Sequence, residues 1–239
     1  MRNILLLSWV DYDDNYYRES IPLRINRLLA FYSLSVFSLA SVADNLTVTV
    51  HDHLDKPLPN VVVYLEPPAS LSLSPRQEPV EVIQADKAFA PYIAVMQKGA
   101  SVKFKNDDDI THHIYSPVGD NKFAFKISAG QERMKHDFQH AGDVVMGCNI
   151  HDWMSGHLLI LETPYFAKTN EQGNAVFDVK DKGQYQVVVW HPQMLEKDNR
   201  IAQSVNFEQS KKLSIKLTKP LAELPNQVNE DDFDFLSDY

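Results

Sequence analysis

Thiol chemistry in this 239-residue chain rests on one residue, Cys148. No intrachain disulfide can form, and the multi-cysteine clusters of structural zinc and iron–sulfur sites are ruled out. Positive charge is also short, with 23 Lys and Arg against 32 Asp and Glu for a formal net charge of −9. That is the wrong sign for a nucleic-acid binder, which needs a basic face against phosphates. With 8 glycines, 13 prolines and a hydrophobic fraction of 44%, collagen-like, low-complexity and wholly disordered chains are excluded. No apolar run approaches the ~20 residues of a transmembrane helix. A nucleophile elbow, a phosphate loop and a dinucleotide fingerprint are all missing, so no substrate-processing group stands out and the expectation is a protein that is not an enzyme.

What is present begins with a basic, then apolar, then small-residue order: Arg24-Ile-Asn-Arg27, Leu28 to Leu39, and Ala40-Ser-Val-Ala43. This is the layout of a secretory signal, with cleavage expected after Ala43. Residues 1–22 precede it and contain Asp11, Asp13, Asp14 and Glu19, which suit a start site assigned too far upstream. An exported chain without disulfides fits the bacterial periplasm, with no stable membrane insertion of the mature protein.

From Asp44 onward the pattern is short alternating strands separated by turn residues, which predicts an all-β fold. Leu46-Thr-Val-Thr-Val50, the turn Asp55-Lys-Pro-Leu-Pro59 and Val61–Leu65 form one hairpin-like unit. Residues 67–79, rich in proline and serine, read as a linker. Eight strands are then expected at Val80–Gln84, Ile93–Met96, Val102–Lys105, Ile114–Tyr115, Phe123–Ile127, Met134–Phe138, Val144–Met146 and Leu158–Leu161, enough for a Greek-key sandwich over 80–162. Strands at Ala167–Thr169, Val176–Val179, Tyr185–Trp190, Gln203–Phe207 and Leu213–Leu217 are too many for that sandwich and too few to stand alone. The economical solution pairs 44–66 with 163–219 in a second small sandwich, into which the first is inserted. Leu158-Leu-Ile-Leu161 is apolar at every position, so its outer face is expected to lie against the second sandwich. The tail, 220–239, is acidic and reads as solvated and disordered, with Phe233, Phe235 and Tyr239 available for a partner.

The chemistry-bearing segment is Cys148-Asn-Ile-His151-Asp-Trp-Met154, with His112-His113 upstream. A thiolate, imidazoles and a thioether are the soft and borderline donors that select copper. A trigonal site of one Cys and two His with a weak axial Met is an electron-transfer geometry, whereas zinc makes little use of Met. The triplet Asp107-Asp-Asp109 lacks the spacing of a calcium loop and reads as a solvated turn. The remaining histidines, among them His157 just after Met154 and His191, read as surface or packing residues.

These residues carry a resemblance. Val102-Lys-Phe-Lys-Asn106-Asp107 leading to His112, and Cys148-x-x-His151-x-x-Met154-x-Gly156, resemble the cupredoxins, the small blue copper proteins of the plastocyanin and amicyanin type, over 80–162. The resemblance implies one copper ion held by His112, Cys148, His151 and Met154. His113 stands where that family usually has Asn, which leaves open whether it replaces His112. The outer segments resemble the carboxypeptidase-regulatory or transthyretin-like domain, in the opening of Leu46–Leu65 and in Thr169–Phe177 and Gly183–Val187. The combination resembles exported proteins of the methylamine-utilisation or plastocyanin-like kind. It implies a type 1 copper protein carrying single electrons between periplasmic redox partners, a cytochrome or an oxidoreductase. The alternative is a periplasmic module that binds or delivers Cu(I) without electron-transfer turnover.

Overall fold

The computed structural model describes residues 44–71, 73–74 and 78–227. The expected signal segment, 1–43, and the tail from 228 onward lie outside the described residues. Nearly all the regular structure is strand, in four sheets that make two sandwiches. No described helix is long and apolar enough to cross a membrane.

The outer sandwich uses β1 (Asn45–His51), β2 (Val62–Glu66), β12 (Phe166–Lys168), β13 (Asn174–Asp178), β14 (Gly183–Trp190), β15 (Arg200–Phe207) and β16 (Lys211–Lys216). They form sheets of order β13-β1-β16 and β12-β2-β14-β15. Alternation in β1 sends Leu46, Val48 and Val50 inward while the threonines face out. They meet Val63, Leu65, Phe177, Tyr185, Val187 and Val189 in one core. Gly173 turns the chain into β13 at φ +72°, with Val50 O only 2.4 Å from where a Cβ would sit, so only glycine fits there.

The inner sandwich uses β3 (Val80–Ala85), β4 (Ala88–Ala90), β5 (Ile93–Gln97), β6 (Val102–Asn106), β7 (His112–Ser116), β8 (Phe123–Ile127), β9 (Glu132–Lys135), β10 (Gly142–Cys148) and β11 (Ser155–Leu161). Their sheets run β5-β11-β10-β7-β8 and β4-β3-β6-β9. The β3–β6 and β5–β11 pairs are parallel and the others antiparallel. Two details depart from the sequence expectation. Strand β4 was not foreseen: it folds back on β3 through Asp86 and Lys87, at φ +53° and +58°, without the glycine that usually marks such a turn. The strand expected at Met134–Phe138 instead spans Glu132–Lys135, because Asp137 is left-handed at φ +69° and ends the extended run.

A third apolar cluster joins the sandwiches. Alternate residues of β11 divide between two cores, with Leu158 and Ile160 packed inside the inner sandwich and Leu159 and Leu161 facing outward. On the other side, β2 and β14 turn Val62, Tyr64, Val188 and Trp190 to meet them. An all-apolar strand is therefore one whose two faces both lack water. Hydrogen bonds cross the same seam: Gln193 Nε2 donates to Tyr92 Oη at 2.9 Å, and Lys168 Nζ donates to Ile93 O. Residues 220–227, which the composition groups with the tail, are held to the body. Leu221 packs on the outer core, Ala222 N–H donates to Gln193 O, and Gln227 Nε2 donates to Ser155 Oγ.

Candidate metal centre

Strand parity decides which side chains enter the site. In β7, Ile114 is fully buried, and His112 and Ser116 share its inward face while His113 and Tyr115 point the other way. In β10, Val144, Met146 and Cys148 are the inward residues. Because Cys148 pairs with Ile114 across the β10–β7 ladder, the His112 and Cys148 side chains emerge on the same side of one sheet. The loop after Cys148 then turns back. Met154 N–H donates to His151 O at 3.0 Å, and Cys148 N–H donates to Met154 O at 3.3 Å.

The result is a buried group of three donors, His112, Cys148 and His151, whose ligand atoms all lie within 4.8 Å of one another. Cys148 Sγ is 3.7 Å from His112 Nδ1 and 3.8 Å from His151 Nδ1. An ion about 2.3 Å from sulfur and about 2.0 Å from nitrogen would span such separations at S–metal–N angles near 120°, so both sulfur–nitrogen separations suit a trigonal ion. Met154 is 1% exposed and packs in the same core cluster as Cys148. His113 is kept outside this group. Its ring Nδ1 accepts a hydrogen bond from Asn149 Nδ2 at 3.1 Å, and its carbonyl accepts from Asn149 N–H at 3.0 Å, which ties the two donor-bearing strands together.

The sequence reading missed Asp108. Taken from the sequence as part of a solvated turn, its side chain is only 12% exposed, and its Oδ2 accepts a hydrogen bond from His112 Nε2 at 2.7 Å. Once Nε2 holds that proton, a neutral His112 ring turns the Nδ1 lone pair towards Cys148. Fixing tautomer and ring orientation in this way is what carboxylates behind metal-binding histidines do. Asn106, fully buried at the end of β6, shapes the loop that presents Asp108. Its amide donates to Ile110 O and Ile127 O, and its Oδ1 accepts from Asp108 N–H. Burial works to raise the Asp108 pKa, but hydrogen bonds from His112 and from the backbone of Lys87 and Asp86 outweigh it and leave it below the ordinary carboxylate value. The available signal was a carboxylate four residues before the first histidine, and spacing alone does not distinguish it from its neighbours Asp107 and Asp109.

His151 is 8% exposed, with its ring 5.1 Å from that of His112 and 5.2 Å from that of Trp153. Burial, followed by the charges of His112 and Lys87, lowers its pKa, which favours the neutral imidazole a metal requires. Ile150, beside it, is 51% exposed. His157, three residues beyond Met154, takes no part in the group. It points into the seam between the sandwiches, with Nδ1 3.0 Å from both carboxylate oxygens of Asp143.

No family model matches the chain, and no curated protein sequence matches it. Among solved structures, part of the chain is similar to a copper-containing nitrite reductase from Thermus scotoductus SA-01, with 24% identity and a TM-score of 0.34 over 41% of this chain. The match spans a quarter of that enzyme's length, 25%. A purple cupredoxin from Nitrosopumilus maritimus is 22% identical over 34% of this chain and 97% of its own, with a TM-score of 0.30. Amicyanin from Paracoccus versutus is 15% identical over 41% of this chain and 97% of its own, with a TM-score of 0.32.

Proposed function

We propose that this protein is an exported copper protein that carries single electrons between redox partners in the periplasm. The observation that carries the reading is the buried His112–Cys148–His151 group, with both sulfur–nitrogen separations suited to a trigonal ion and a carboxylate behind one imidazole. Copper bound there supplies the one-electron step between Cu(I) and Cu(II), and thiolate plus imidazole is the donor set that accommodates both. Met154, buried in the same core cluster as Cys148, would supply a weak fourth donor. The chain's own part is rigidity. Two strands and a short hydrogen-bonded loop hold the donors, so a change of charge requires little movement of protein atoms. Exposed Ile150 and the ring of Trp153 beside His151 form a small apolar contact face of the kind transient redox encounters use. The outer sandwich serves as scaffold or as a further docking module.

Titrating the purified protein with Cu(II), while following visible absorption and electron paramagnetic resonance, tests this reading. The expected result is one equivalent of a coloured species with a compressed copper hyperfine pattern, bleached by a mild reductant and restored by an oxidant. Colourless or rapidly lost copper refutes the carrier. Rapid transfer of Cu(I) to an apo-protein acceptor would instead favour a delivery module.

Asp108 offers a sharper check on the geometry. Asp108→Ala is expected to weaken copper affinity about tenfold to a hundredfold, as loss of the partner behind a ligating histidine commonly does. Asp108→Asn, which keeps an oxygen facing His112 Nε2, should recover part of the loss. Competition against a chromophoric chelator measures both, and equal affinity in all three proteins would show that Asp108 does not position His112.

A further inference from the structure

At one end of the seam the two sandwiches part to leave a cleft of about 640 Å³, to which none of His112, Cys148 or His151 contributes. Its floor is apolar and comes from both sides, with Leu159 and Leu161 from β11, Tyr64 from β2 and Trp190 from β14. All four floor residues belong to the seam's apolar cluster, so their positions are fixed by packing. The Trp190 ring also lies edge-on to His157 at 6.2 Å, and His157 in turn holds the Asp143 carboxylate at the wall.

The charged lining is one-sided. Among the described residues, Glu66, Asp143, Glu162 and Asp198 supply four carboxylates to the lining and Arg200 its one cation, while Lys98 pairs with Glu162 from outside the lining. That guanidinium is already engaged, with Nη1 3.2 Å from Tyr64 Oη and 3.3 Å from Glu66 Oε1. Asp198 reaches the lip from a turn in which it and Asn199 are both left-handed, at φ +58° and +55°. Aspartate and asparagine are the non-glycine residues that tolerate this conformation best.

We propose that this cleft binds an amphiphilic organic cation, an ammonium group carried on an apolar or aromatic body. Its volume lies in the range of small-molecule sites, and the boundary between two folded units is a common place for them. The leucines and aromatic rings take the body of the ligand, and an aromatic face close to a cation adds electrostatic attraction. The surplus of carboxylates selects the sign. With Glu66 paired to Arg200 and Glu162 to Lys98, Asp143 and Asp198 still leave the lining net negative, so an anionic ligand of the same shape is repelled.

The test uses the full chain and three matched probes: phenethylammonium, 2-phenylethanol and phenylacetate. Binding is followed by calorimetry and by the Trp190 indole N–H signal in NMR spectra. Phenethylammonium is expected to give a saturable shift of the Trp190 signal with at least tenfold higher affinity than 2-phenylethanol, and phenylacetate to give none. The double variant Glu162→Gln/Asp198→Asn neutralises two exposed side chains away from the copper donors and keeps at 198 a residue that tolerates the left-handed backbone. It should reduce phenethylammonium affinity tenfold or more while leaving the melting temperature and copper spectrum unchanged. No Trp190 shift up to roughly 10 mM probe overturns the proposal, as does equal binding of the three probes or full affinity in the variant. Because the readout is Trp190, the outcome is independent of whether the copper reading stands.

Discussion

Cys148→Ala is expected to abolish the intense visible absorption of the copper-loaded protein completely, not merely to shift it. That band requires charge transfer from a thiolate to the metal, and Cys148 is the chain's only thiol. No second sulfur with a comparable charge can take its place: Met154 is a neutral thioether, and His112 and His151 are nitrogen donors. The structural cost is small. Cys148 is 4% exposed in a well-packed core, and replacing it with alanine removes a single heavy atom, a loss of about 1 kcal/mol. Far-ultraviolet circular dichroism should therefore show a folded all-β protein with no coloured copper. A variant that keeps the intense band would remove Cys148 from the metal site, and with it the assignment of the whole donor group.

The second large effect concerns acid and the seam between the sandwiches. His191 follows β14, is 7% exposed, and accepts a hydrogen bond from Gln193 N–H on Nδ1. Burial first, then the charges of His157 and Lys168, lowers its pKa to about 4. A histidine that is neutral in the folded protein but takes up a proton at about 6.5 when unfolded makes acid favour the unfolded chain. Its contribution is complete above pH 6.5, declines as the pH falls, and is gone below about 4. Across that window the shift corresponds to about 3 kcal/mol. Denaturant melts of the wild type and His191→Gln, run from pH 7 to pH 4, isolate this term. The wild type should lose about 3 kcal/mol more than the variant over that range. A constant difference between the two would mean that His191 is not held neutral by the fold.

Much of this architecture was legible in the chain because period-two alternation and turn residues mark exposed and buried faces directly. Leu158–Leu161 shows how far that reading extends. A strand without a polar face must be covered on both sides, and β11 is. The candidate donors were legible for a different reason: Cys, His and Met at three-residue intervals are chemically uncommon, and the soft character of the set points to copper before any fold is known. The choice between His112 and His113 needed the pairing of β7 with β10. Adjacent residues on a strand point to opposite faces, and only the partner strand determines which face holds Cys148.

Other features were beyond a linear reading. Strand β4 is three residues long and enters through a turn made by Asp86 and Lys87, whose left-handed backbones depend on packing and not on glycine. Asp108 is one of three consecutive aspartates with equal propensities. Only the loop that Asn106 locks in place aims it, and not Asp107 or Asp109, at His112. The cleft joins residues from β2, β11 and β14 that lie far apart in the chain, so no local pattern could announce it. By itself, then, the sequence determined the strand alternation, the all-β class and the soft donor set, because these follow from the identity of neighbouring residues. Tertiary structure alone decided which histidine faces the thiol, which carboxylate orients it and how the two sandwiches meet, because each depends on side chains brought together by strand pairing and packing over long stretches of chain.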